Sequence, residues 1–76
     1  MSTSPENHLV NVLSHWLARH IDNAELLREL EAVDMSALSP AQAEAVQELR
    51  EEVVSTNGRG DLEMVVRETL EAVALG

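Results

Sequence analysis

A 76-residue chain with no cysteine, no lysine, a single aromatic residue (Trp16) and a formal net charge of -9 excludes several classes at once. Disulfide scaffolds and thiolate metal centres are ruled out by composition, and 14 acidic residues against 5 basic ones would be repelled by nucleic-acid phosphates, so no direct nucleic-acid contact is expected. The length fits one small domain over residues 1–76, which buries only about 60% of its unfolded surface, with a core of Leu, Val, Ala and Ile.

No apolar run approaches the roughly 20 residues of a membrane span. The opening MSTSPENH has neither the basic nor the apolar region of a secretory signal. The expectation is a cytoplasmic protein without membrane contact. Residues 1–3 are expected to fray.

Ser4-Pro5-Glu6 combines an N-cap residue, a proline at the first helical position and an acid in the first turn, and predicts a first helix over Pro5 to His20. At about 100° per residue, Leu9, Val10, Leu13, Trp16, Leu17 and Ile21 share one arc, with Val12 at its border. His8, Asn11, His15 and Arg19 point the other way, towards solvent. Asp22 with Glu25 is a second capping pair and opens a helix over Asn23 to Val33, whose apolar face is Leu26, Leu27, Leu30 and Val33. A link of Asp34 to Leu38 follows, in which Met35 and Leu38 are placed to plug the core.

The strongest local signal lies at Ser39 to Val54, SPAQAEAVQELREEVV. Ser39 as N-cap, Pro40 at the first position and Gln42 three residues after the cap make a capping box with a proline start. Almost every residue from Ala41 onward is a good helix former. Gln42, Ala45, Val46, Leu49 and Val53 gather on one side, while Glu44, Glu48 and Glu51 lie opposite with Glu52 at the edge. Thr56-Asn57-Gly58-Arg59-Gly60 predicts a turn, and Asp61 a cap for a last helix over Leu62 to about Leu75. Its apolar arc holds Leu62, Val65, Val66, Leu70 and Val73. Met64 and Leu75 fall on its polar side, and Glu63, Arg67 and Glu71 are spaced as an ion-pair ladder. Asn57-Gly58 between two valine pairs is also a hairpin signal, but neither flank alternates and Gly60 would interrupt the second strand. The fold class that follows is all-α: a compact bundle or folded array of three to four short helices.

Candidate chemistry is sparse, and neither a catalytic group nor a cofactor site is expected. His15 and His20 are five apart, about 140° apart around a continuous helix, and His8 and His15 are about 10 Å apart along its axis. Neither pair can share one ion within such a helix, so no metal site is assigned; a metal or ligand site shared between subunits through the histidines is an alternative. His20 projects into the apolar arc, where a histidine near the helix end satisfies carbonyls or responds to pH at a subunit contact. Arg59-Gly60-Asp61 spells an adhesion tripeptide, yet the glycine serves the turn and the aspartate the cap.

Asp34-Met35-Ser36-Ala37-Leu38, a serine after an aspartate in a link ahead of a helix within a small acidic helical domain, resembles in outline an acyl carrier protein, whose carrier serine lies in Asp-Ser-Leu. The resemblance covers one serine and the bulk charge, and the intervening Met35 displaces the serine from that pattern. It implies, as an alternative function, a carrier domain modified at Ser36.

The function expected first is a non-catalytic protein–protein interaction module, a regulator or adaptor that is a homodimer or a subunit of a complex. Its interface candidates are Leu9, Val12, Leu13, Trp16, His20, Met64 and Leu75, because the first helix carries more apolar surface than so small a core readily covers. The acidic face of Glu44, Glu48, Glu51 and Glu52 suits a basic segment of another protein, or serves solubility alone.

Overall fold

Three of the four helices begin where a side-chain oxygen can take an orphan backbone N–H. A computed structural model of the protein describes residues 4–55 and 58–75, which form α1 (Pro5–Leu17), α2 (Asn23–Ala32), a 3-10 turn (Met35–Ala37), α3 (Pro40–Ser55) and α4 (Arg59–Leu75). Ser4 Oγ accepts from Asn7 N at 3.2 Å, and Asp22 Oδ1 accepts from Glu25 N at 2.9 Å. At α3 the box is complete: Ser39 Oγ accepts from Gln42 N at 3.2 Å while Gln42 Oε1 accepts from Ser39 N at 3.0 Å. The fold is all-α as expected, and the valine pairs of the rival hairpin are helical. Expectations for residues 1–3, Thr56, Asn57 and Gly76 lie outside the described residues.

Helix boundaries depart from the sequence expectation at three places. The first helix stops at Leu17, not His20. Ala18 N donates to Ser14 O at 3.0 Å, Arg19 N to Trp16 O at 3.0 Å and His20 N to His15 O at 2.8 Å, with Arg19 at φ 66. This is a Schellman closure with arginine in the left-handed position that glycine usually takes, a stop that no glycine announced. Helix α2 ends one residue early, with Val33 extended as its C-cap. Helix α4 starts at Arg59 rather than Leu62: Leu62 N donates to Gly58 O at 3.2 Å, and Gly58 takes φ 104, a conformation suited to a residue without Cβ. Asp61 is therefore in the first turn, where its negative charge is stabilised by the positive end of the helix dipole, rather than at the cap.

The helices form a ring in which each packs on its chain neighbours and α4 returns to α1, with α3 on α4 the most extensive contact. Contacts between ends give the directions. His8 near the start of α1 meets Glu29 late in α2, Nε2 to Oε1 at 3.0 Å; Gln42 at the start of α3 meets Val73 at the end of α4. Leu9, Val12, Leu13, Trp16, Leu26, Leu30, Leu38, Val46, Leu49, Leu62, Val66 and Val73 are buried in one core. The radius of gyration is 11.3 Å, against about 11.4 Å for a normally packed chain of this length. The core thus closes within a single chain.

Two polar side chains are buried with the leucines. Thr69 returns its hydroxyl to Val65 O at 2.8 Å, as helical threonines often do. Gln42, 1% exposed, spends its amide oxygen on the capping box and donates through Nε2 to Val73 O at 3.1 Å. Gln42→Ala removes one half of the box and strands a buried carbonyl, so a loss of about 2–4 kcal/mol is expected in urea unfolding. Arg19→Gly should act in the opposite sense, raising stability by about 0.5–1 kcal/mol in the same assay, since glycine adopts the left-handed conformation without the Cβ clash.

Candidate interaction surface

The seven interface candidates separate into two groups. Leu9, Leu13 and Trp16 have no exposed surface and Val12 only 6%, which corrects the expectation that α1 offers an uncovered apolar face. Its apolar arc is covered because α2 and α4 both pack against it, so within one chain no partner can reach those residues. His20, expected within that arc, is exposed instead, because the helix has already ended and the chain has turned. Met64 and Leu75, by contrast, are 61% and 89% exposed.

Met64 and Leu75 share a stripe of α4. Taking 100° per residue from Gly60, the outer face collects Gly60, Met64, Arg67, Glu68, Glu71 and Leu75 within an arc of roughly 100°. Gly60, Glu63, Met64, Arg67, Glu68 and Glu71 line a shallow open depression of about 370 Å³. Of the anticipated ladder Glu63, Arg67, Glu71, the ion pair that forms instead is Arg59 Nε to Glu63 Oε1 at 3.8 Å.

Further round α4 comes Val65, and there α3 supplies the charge. Glu48, Glu51, Glu52 and Ser55 of α3 line a second recess with Val65. Glu44, Glu48 and Glu51 are exposed and Glu52 is half-buried. Val65 follows Glu68 around α4, so the acidic recess of α3 borders the α4 stripe, on which Met64 and Leu75 are interspersed with Arg67, Glu68 and Glu71. A smaller patch lies across α3, where exposed Val54 sits beside Leu27, Glu31, Gln47, Arg50 and Glu51.

Sequence reasoning missed the role of Arg59. It is not a turn residue: its guanidinium lies 4.1 Å from the centre of the Trp16 ring, and Nη2 donates to Trp16 O at 3.3 Å. Trp16 Nε1 donates to Asn23 Oδ1 at 2.8 Å. Nothing local marks a pair 43 residues apart; a lone tryptophan in a chain with few arginines is the only hint. His8, expected to face solvent, is half-buried against Glu29.

Ser36 sits in the 3-10 turn, exposed, with its hydroxyl donated to Asp34 Oδ1 at 2.6 Å and its N–H to the same oxygen at 3.1 Å. The helix that follows is capped by Ser39, so Ser36 lies outside the helix start. The geometry describes an Asp34-capped turn. Incubation with a phosphopantetheinyl transferase and coenzyme A is accordingly expected to leave the intact mass unchanged; a gain of one phosphopantetheine, abolished in Ser36→Ala, would establish the carrier function instead.

No family model matches this chain, and no curated protein or solved structure is similar to it.

Proposed function

We propose that the protein is a non-catalytic interaction module, a regulator or adaptor, that docks a basic amphipathic segment of another protein on the outer face of α4. The observation that carries this reading is the pair Met64 and Leu75, 61% and 89% exposed where the other large apolar side chains among the described residues are, Val54 apart, inside or partly covered. They are eleven residues apart on one stripe, about 16 Å along the helix, a spacing that suits the anchors of an amphipathic helix laid alongside. Arg67, Glu68 and Glu71 lie between them on the stripe, and Glu48, Glu51 and Glu52 line the recess at Val65 next to Met64.

Charge argues for a basic partner over a second copy. Each copy carries -9, and two such chains repel before their apolar stripes can meet, whereas a cationic segment is steered in and its flanking arginines or lysines meet the glutamates. The apolar stripe supplies affinity and the acidic edge supplies orientation. Among the described residues no helix is long and apolar enough to cross a membrane.

A photo-cross-linking residue at position 64 or 75, introduced in the native host, should join the protein to one and the same partner through a basic segment, while the same residue at position 28, exposed on α2, should not. Met64→Glu combined with Leu75→Glu should abolish that product with helicity by circular dichroism unchanged. Labelling as strong from position 28, or a cross-link only between copies of this chain, would overturn the proposal.

A further inference from the structure

We propose that His15 and His20 form a two-imidazole site for a divalent late transition-metal ion, copper(II) or zinc(II), at the C-terminus of α1. On a continuous helix these residues would diverge. The early stop at Leu17 changes their relation, because the Schellman closure folds the chain back so that His20 N reaches His15 O at 2.8 Å. The two rings come to lie with centroids 6.0 Å apart and planes inclined by 51°. Both residues are exposed. Neither ring has a hydrogen-bond partner among the described residues, in contrast to His8, which is bound to Glu29.

The spacing suits shared coordination. Two imidazoles, each bound through one nitrogen at about 2.0–2.1 Å with a tetrahedral angle between them, have centroids roughly 5 Å apart. The remaining difference, about 1 Å, lies within ordinary χ adjustment of two solvent-exposed side chains. The backbone between them needs no rearrangement, since three hydrogen bonds already hold it. Two electrostatic features favour a cation there: the carbonyl end of α1 carries negative partial charge, and the -9 chain raises the local cation concentration.

Among the described residues no group of three or more His, Cys, Asp or Glu side chains is arranged to hold a metal ion, so water completes the coordination shell. Such a site exchanges its ion readily and is not structural. Its neutral nitrogen donors select copper(II) and zinc(II) over magnesium or calcium, and copper over zinc. The inference is independent of the docking face on α4.

The test is titration of the full chain with CuCl2 and, separately, ZnCl2, followed by calorimetry and by proton–nitrogen correlation spectra. One saturable site per chain is expected, with paramagnetic broadening by copper confined to residues around His15 and His20. Since the second imidazole binds at the effective concentration of a linked ligand, His15→Gln and His20→Gln should each weaken binding about 100-fold, to the level of a single imidazole, and the double variant should abolish binding at this site. Equal affinity in wild type and both variants, or broadening centred on His8 or on Glu48, Glu51 and Glu52, would overturn the proposal. The wild-type broadening map decides the location even if a variant were to lose structure.

Discussion

The structure turns on Trp16, the one large aromatic surface available to a core otherwise made of leucine and valine. It has no exposed surface, and three elements meet on it. Its ring fills the interior end of α1, its indole N–H is received by Asn23 at the first position of α2, and the guanidinium of Arg59, opening α4, lies over its face. Arg59 also donates to the Trp16 carbonyl, which accepts the Arg19 N–H of the closing turn as well. One residue therefore ties together the end of α1, the start of α2 and the start of α4. Arg59 Nε is buried without a hydrogen-bond acceptor among the described residues and has Glu63 at 3.8 Å, so its stabilisation comes through the ring and the carbonyl, with the stem packed along the tryptophan.

Trp16 does not fix α3, and a second buried polar group does. Gln42 closes the N-terminus of α3 with one end of its amide and ties it to the last turn of α4 with the other. On the α3 side Ala45 lies against Thr69 of α4, whose hydroxyl is 3.5 Å from the Ala45 carbonyl, and dispersion over so small a side chain specifies register poorly. A directed hydrogen bond between the start of α3 and the end of α4 adds that register. The polar pins thus divide the work: Trp16 with Arg59 gathers α1, α2 and α4, and Gln42 locks α3 on α4.

Much of this was legible in the sequence wherever the cause was local. The caps at Ser4, Asp22 and Ser39 were readable because the donor and acceptor are three residues apart, and the apolar arcs because helical periodicity is a property of one segment. The end of α1 was not legible: it depends on Arg19 entering a left-handed conformation that the sequence would ordinarily assign to glycine, closed by the backbone bonds from Arg19 N to Trp16 O and from His20 N to His15 O. That one unread stop shifted the apparent position of His20 from the apolar arc to solvent and hid its approach to His15. The burial of Leu9, Val12, Leu13 and Trp16 was misjudged for a related reason. The hydrophobicity of α1 was visible, but how many neighbours would cover it was not, since α4 reaches it across more than forty residues of chain.

The surface obeys a different constraint from the core. A 76-residue chain that closes its own core has few apolar side chains to spare, and leaving Met64 and Leu75 outside lowers the hydrophobic stabilisation that burying them would contribute, about 1.5–3 kcal/mol each. Exposed apolar residues on a small domain also invite self-association. The charge counters this: with -9 per copy, repulsion acts over about 8 Å at physiological ionic strength, farther than the apolar contacts reach. Glu68 and Glu71 outnumber Arg67 between the two exposed side chains, and Glu48, Glu51 and Glu52 of α3 border Val65 beside them, so the potential over that face of α4 is negative.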